Sequence, residues 1–140
     1  MPRSIAARSG WIAAGFAAML GFAPISALAQ EQGAKIAPLL AKDLAGIDGK
    51  EGVMLTVEYA PGASSMRHRH NAHTFVYVLE GSVVMQVDGG AAVTLGPGQT
   101  FYESPSDIHA VSKNASDSKP AKFVVFFVKD KGAAPVIPVK

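Results

Sequence analysis

Cysteine is absent from this chain of 140 residues, which therefore has no disulfide bond to hold it together. Segments with a helical period of apolar residues are also missing, so a helical bundle is not expected. Beyond residue 29, no apolar run approaches the roughly 20 residues that span a bilayer. What remains is a series of short apolar segments separated by glycine and proline, which is typical of an all-β domain.

The first 29 residues are predicted to be a signal peptide and not part of the fold. They combine a basic start at Arg3 and Arg8, an apolar run from Trp11 to Leu20, and the small-x-small pattern Ala27-Leu28-Ala29. We expect cleavage after Ala29 and a periplasmic or secreted mature protein. An uncleaved membrane anchor is the alternative, but the apolar run is too short for it.

Removal of this leader changes the charge balance. It takes two of the 13 basic residues and none of the 11 acidic ones, so the mature chain has 11 of each and a formal net charge near zero. The sequence pI of about 9.0 therefore gives no reason to expect a nucleic-acid partner. After cleavage we expect no membrane partner either. The 111 residues that remain of the 140 are enough for one domain and not for two.

The mature chain is predicted to consist of an N-terminal arm at 30–52, one β domain at 53–130 and a C-terminal tail at 131–140. The arm has a weak pattern, and clean alternation of apolar and polar residues begins only at Val53. Turn signals then recur roughly every 8 to 12 residues, as expected of a β-sandwich or barrel. The predicted strands lie at 53–59, 75–79, 82–87, 91–95, 99–103, 108–112 and 121–128.

The histidines are the most informative residues of the chain. Of the four, His68, His70 and His73 lie within six residues, and His109 lies in a later strand candidate. Side chains two apart on a strand share a face, so His68 and His70 point together into one interior. This pattern predicts a metal site. The alternative is that imidazole and basic side chains simply solubilise a turn.

The residues around these histidines resemble the two signature motifs of the cupin superfamily. The first motif reads Gly, five residues, His-x-His, three or four residues, Glu, six residues, Gly. The second leads from a Pro-Gly turn to a strand with one more His and then an Asn. The matching residues are Gly62, His68, His70, Gly81, Pro97-Gly98, Pro105, His109 and Asn114. The resemblance extends over about residues 53–128, most of the mature chain.

This resemblance implies a double-stranded β-helix, or jelly-roll barrel, with a metal in its mouth. Two His and a Glu of the first motif and one His of the second would hold the metal. The histidines match as His68, His70 and His109, but Thr74 stands where the family has its glutamate. That departure leaves the fourth ligand in doubt.

The alternation of side chains along a strand favours one of the two candidates for the missing ligand, Thr74 and His73. If His70 points inward, Thr74 does so too and His73 points outward. We therefore expect a three-histidine site that Thr74 lines, as a hydrogen-bond partner or by binding through water. A bulge at Asn71-Ala72 would shift the register by one residue and bring in His73 as a fourth ligand.

Three neutral imidazoles suit a divalent transition metal such as Fe, Zn, Ni or Cu, whereas Mn prefers oxygen ligands and is less expected. Three protein ligands also leave coordination positions open, as in catalytic sites. Glu103, six residues before His109, is a candidate base near the metal. The alternative for Glu103 is a solvated side chain.

Similarity to the small quercetin-dioxygenase-like cupins implies a metal-dependent, dioxygenase-like oxidoreductase that acts on a small aromatic or enolic substrate. Two alternatives stay open, because one fold hosts many chemistries. The first is a non-catalytic periplasmic module that holds a small molecule or a metal ion, and the second is a cupin-type isomerase. The family also implies a homodimer, with which the apolar run Phe123 to Val128 is compatible.

Overall fold

The computed structural model describes residues 33–140, so the predicted signal peptide and its cleavage site after Ala29 lie outside the described residues. No helix long and apolar enough to cross a membrane occurs in the part that is described. That part is built from β-strands: β1 (Ala34–Asp43), β2 (Lys50–Tyr59), β3 (His68–Arg69), β4 (Ala72–Glu80), β5 (Val83–Val87), β6 (Val93–Leu95), β7 (Thr100–Glu103), β8 (Ile108–Asn114), β9 (Ala121–Asp130) and β10 (Ile137–Pro138).

The strands form two five-stranded antiparallel sheets. The first has the order β1-β2-β9-β4-β7 and the second has the order β10-β3-β8-β5-β6. Neighbours in each sheet are mostly distant in sequence, as in a Greek-key jelly roll. The predicted fold class, an all-β double-stranded β-helix, is confirmed.

The core lies between the inner faces of the two sheets. On β4 and β9, every second side chain is buried over most of the strand, as the period of two requires. The residues between the buried positions of β9 are half-buried, so its apolar run is not covered on both faces within this chain. The main apolar side chains of the core are Leu55, Val57, Tyr59, Val76, Val78, Val83, Met85, Phe123, Val125 and Phe127.

The first sheet extends further toward the N-terminus than the sequence pattern indicates. β1 pairs with β2 from Ala34 opposite Tyr59 to Asp43 opposite Glu51, with a register shift between Pro38 and Leu40. The predicted boundary between 52 and 53 therefore falls inside β2, which begins at Lys50. The polar residues at the start of β2 break the alternation, and it is pairing with β1 and β9 that keeps them extended.

Asn114 at the end of β8 fixes the loop that follows. Its amide nitrogen donates to the carbonyl oxygens of Ala60 and Lys119, and its amide oxygen accepts the N–H of Ser116. A buried amide that satisfies backbone groups of two separate segments is a structural device. Asn114 thus ties the turn to the end of β8.

The turn between β4 and β5 depends on a glycine for two reasons. Gly81 has a positive φ of 69°, and a Cβ on it would lie 2.5 Å from the carbonyl oxygen of Pro120 and 2.8 Å from the Cα of Ala121. Gly89, in the turn after β5, also has a positive φ of 75°, but no atom of the described chain lies within 4 Å of its Cβ position. Both glycines adopt the left-handed conformation, but only Gly89 has room for a side chain.

This pair gives a matched prediction for stability. Gly89→Ala is expected to lower the free energy of unfolding by about 1–2 kcal/mol, the cost of the left-handed conformation. Gly81→Ala is expected to cost about 1–3 kcal/mol more, because the turn and β9 must also move apart. Urea unfolding, followed by far-UV circular dichroism, measures both free energies. Equal losses in the two variants would contradict the close packing of this turn against β9.

Candidate metal centre

Three of the four histidines converge inside the barrel. His68 on β3 and His109 on β8 are directly paired across the second sheet, so their side chains emerge on the same face. His70 follows His68 by two residues and points the same way. All three side chains are buried, and each offers one nitrogen such that these nitrogens lie within 4.8 Å of one another.

Backbone carbonyls fix the orientation of two of these rings. The Nδ1 of His68 lies 2.7 Å from the carbonyl oxygen of Met66, and the Nδ1 of His70 lies 2.7 Å from that of Pro135. Because a carbonyl can only accept, each Nδ1 must carry the proton and each Nε2 must present a lone pair. The two Nε2 atoms are 3.2 Å apart. Such second contacts are typical of histidines that hold a metal.

Burial keeps two of the three histidines neutral. Burial, and then the neighbouring His68, lowers the pKa of His70 to about 4. Burial lowers the pKa of His109 to about 3, with further contributions from His68 and His70. Since the neutral imidazole is the form that ligates metals, these two side chains are in that form at neutral pH.

Glu103, which the sequence suggests as a candidate base near the metal, lies beside the histidines. It lies at the end of β7 in the first sheet and is only 1% exposed, so the alternative of a solvated side chain does not hold. Its Oε1 lies 3.2 Å from the Nδ1 of His109, and its Oε2 lies 3.7 Å from the Nε2 of His70. Burial, followed by the charge of Asp107, raises the pKa of Glu103 to about 8.

Neither carboxylate oxygen of Glu103 has a hydrogen-bond partner within residues 33–140. A buried polar group in this condition costs roughly 1–3 kcal/mol. The cost is removed if a cation lies between the carboxylate and the imidazoles. Three convergent imidazoles and an unpartnered buried carboxyl thus fit a bound divalent transition metal.

Thr74 and His73 occupy opposite faces of β4. Thr74 is fully buried and lines the cavity, with one long hydrogen bond of 3.5 Å from its hydroxyl to the carbonyl oxygen of Ala72. His73 is exposed on the outer face, where its Nδ1 lies 2.7 Å from the hydroxyl of Tyr102. The structure therefore does not bring His73 to the other three histidines.

A corner in the backbone, and not a bulge, lies between His70 and His73. The chain passes from β3 in the second sheet to β4 in the first at Asn71, which has a positive φ of 43°. Alternation survives the corner, since His68, His70 and Thr74 are all buried. The register shift that would have turned His73 inward is absent from this part of the described chain.

The histidine cluster opens into a cavity with a volume of about 300 Å³. Apart from the histidines, Glu103 and a few hydroxyls, its wall is apolar and comes from both sheets. The C-terminal segment closes one side, with Pro135, Val136 and Pro138 in the lining. Other apolar lining residues are Ala34, Ile36, Leu55, Val57, Val76, Met85, Phe123, Val125 and Phe127.

Sequence patterns gave little sign of these C-terminal contributions. Pro135 acts through its backbone carbonyl. Every residue has such a carbonyl, so the residue type does not reveal this role. The segment is held because buried Lys129 donates to Glu51 and to the carbonyl oxygen of Ala133 at the start of the tail. β10 then pairs with β3 beside His68.

Comparison with known proteins places this geometry in a family. A sequence profile of the cupin domain matches residues 55–127. A search of curated proteins found no match.

Solved structures with the same fold are distant in sequence. A double-stranded β-helix protein from Klebsiella pneumoniae superposes with a TM-score of 0.61 at 17% identity, covering 79% of this chain and 88% of that one. An oxalate oxidase bound to the substrate analogue glycolate gives 0.60 at 22%, covering 79% and 57%. The DMSP lyase DddQ of Ruegeria pomeroyi gives 0.56 at 19%, covering 63% of this chain and 43% of the lyase.

The chain thus spans less than half the length of that lyase. At these identities the similarity shows the shared fold and does not extend to a shared substrate.

The geometry predicts which histidines retain metal. His109→Ala is expected to reduce bound metal from about one equivalent to a small fraction, because it removes one of three convergent nitrogens. His73→Ala is the matched control and should retain the metal, since its side chain lies on the outer face. Elemental analysis of the purified variants measures both. Loss of metal in His73→Ala at unchanged stability would contradict this assignment.

Proposed function

Because the chain belongs to the cupin family, we propose that it is a metal-dependent, dioxygenase-like oxidoreductase that acts on a small and largely apolar substrate inside the barrel. One observation carries this proposal. The unprotonated nitrogens of the histidine cluster face an apolar cavity of about 300 Å³ and do not face bulk water. An apolar pocket with a few convergent polar groups is the usual form of a small-molecule site.

Histidine side chains would bind the metal, and backbone carbonyls orient them. His68, His70 and His109 would hold the metal, and the carbonyl oxygens of Met66 and Pro135 keep two of the rings in the required orientation. When bound, such a metal supplies Lewis-acid polarisation and, for Fe or Cu, a redox couple. The apolar wall excludes water and strengthens electrostatic interactions inside the cavity.

A second polar group lines the same cavity and supports a substrate with more than one polar atom. The hydroxyl of Tyr59 is hydrogen-bonded to the hydroxyls of Ser65 and Ser112, at 2.8 Å for the latter. All three residues contribute to the cavity wall. A small aromatic or enolic molecule, with oxygen substituents on an apolar body, matches this distribution of polar and apolar surface.

A non-catalytic binding module is the alternative function, and the lining of the cavity favours it in one respect. Among the described residues that line the cavity, Glu103 is the only carboxylic acid, and the three histidines are committed to the metal. Few groups are therefore left to transfer a proton to or from a substrate. The same cavity would suit a module that holds an apolar ligand beside a metal.

The proposal extends to location and assembly. Residues 1–29 have the pattern of a signal peptide, which supports export to the periplasm or beyond.

An exposed aromatic surface on the outer face of β4 and β7 supports a homodimer; it consists of Phe75, Tyr77 and Tyr102. Light scattering of the mature protein tests the dimer, and a monomer at micromolar concentration would exclude it.

Metal content and oxygen uptake test the function together. The mature protein, purified without an affinity tag, is expected to carry about one equivalent of Fe, Cu or Ni and to consume oxygen with a catechol or flavonol. The His68→Ala/His109→Ala variant should lose both properties, whereas His73→Ala should keep both.

The other outcomes separate the alternatives. Bound metal and saturable ligand binding without oxygen uptake would favour the binding module. Zn as the sole metal would point to a binding, hydrolytic or isomerase role. Failure to take up any metal on reconstitution would contradict the metal-dependent function and would favour a module that holds a small molecule without a metal.

A further inference from the structure

The position of Glu103 is set by its strand pairing with Thr74. These two residues lie directly opposite each other in the antiparallel register of β4 and β7. Side chains at such paired positions emerge on the same face, with Cβ atoms about 4.5–5.5 Å apart. Both side chains are buried, at 0% and 1% exposure. A carboxylate on β7 therefore enters the same wall of the barrel as a side chain at position 74.

The Glu103 carboxylate reaches the histidine nitrogens from this neighbouring strand. Oε2 lies 3.7 Å from the Nε2 of His70, and Oε1 lies 3.2 Å from the Nδ1 of His109. The proton of His70 is on Nδ1, where it is donated to Pro135, so the Nε2 that faces Glu103 is a lone pair. At 3.7 Å this pair is too far apart for a direct hydrogen bond, and an ionised carboxylate and a nitrogen lone pair are attracted to each other when a cation lies between them.

We propose that Glu103 is the carboxylate ligand of the metal centre and supplies, from the strand opposite, the group that the first cupin motif would place at position 74. This inference rests on the proposed metal site and adds its fourth protein ligand. The centre then consists of three histidines and one carboxylate, and the carboxylate comes from β7 and not from β4. Thr74 remains a neighbour in the cavity wall with a hydroxyl in place of the carboxylate.

The competing role for Glu103 is that of a positioning residue, which would accept a hydrogen bond from His109 and not touch the metal. At 3.2 Å, the contact between Oε1 and Nδ1 is close enough for such a bond, but neither atom forms one in the described part of the chain. The second oxygen also points at His70, which a role confined to His109 would not require.

Cobalt(II) binding to the metal-free full chain distinguishes these roles. Its affinity is measured by competition with a chelator, and its visible absorption reports the ligand set. Glu103→Gln is expected to weaken binding by more than about 100-fold, beyond what an outer-shell partner contributes. The absorption of the remaining complex should also change. Glu80→Gln, an exposed glutamate on β4, is the control and should bind as the wild type does.

A second test moves the carboxylate from position 103 on β7 to position 74 on β4. Thr74→Glu/Glu103→Gln is expected to recover at least tenfold of the lost affinity and much of the wild-type absorption. Unfolding of the metal-free proteins checks their folding. Glu103→Gln should be about as stable as the wild type, because it replaces one buried polar side chain that has no hydrogen-bond partner within residues 33–140 by another of the same size.

The results separate this inference from the proposed function. If the wild type binds cobalt but Glu103→Gln binds within about 100-fold of it and with the same absorption, Glu103 is not a ligand and the three-histidine site stands. If the wild type binds no cobalt, both the inference and the metal site are wrong.

Discussion

The pairing of His68 with His109 across β3 and β8 is the contact on which the rest of the site depends. β3 has only two residues, so it is held by its neighbours and not by its own length. β8 supports it on one side and β10 on the other. Because the register of an antiparallel pair fixes which side chains meet, this single pairing places two imidazoles on one face. His70 completes the group at the corner where the chain leaves the sheet.

Support for the site reaches well beyond the histidines. Lys129 at the end of β9 is buried and donates to Glu51 on β2 and to the carbonyl oxygen of Ala133. These contacts fix the start of the C-terminal segment, whose Pro135 carbonyl then holds the ring of His70. A buried lysine is tolerated only when its charge is paired and hydrogen-bonded. The polar contacts of the first sheet therefore help to determine the tautomer of His70, which lies at the corner between the two sheets.

The interior combines an apolar cavity with polar side-chain atoms of Glu103 and His109 that have no hydrogen-bond partner within residues 33–140. Burial disfavours the protonated forms of His70 and His109 and the ionised form of Glu103, so these three side chains carry little charge at neutral pH. The jelly roll tolerates this arrangement because its remaining core is densely apolar, from Leu55 on β2 to Phe127 on β9. Sites of this kind lower the free energy of unfolding of the ligand-free protein, and ligand binding raises it again.

The sequence alone determined the all-β fold, the convergence of His68 and His70, and the inward direction of Thr74, because each follows from the period of two along a strand. The match of His109 came from motif spacing. Tertiary structure alone decided that β1 joins the sheet, that the carbonyl of Pro135 orients His70, and that Glu103 lies beside the imidazoles. Each of these depends on pairing between segments distant in sequence, and composition and periodicity carry no information about which distant strands become neighbours.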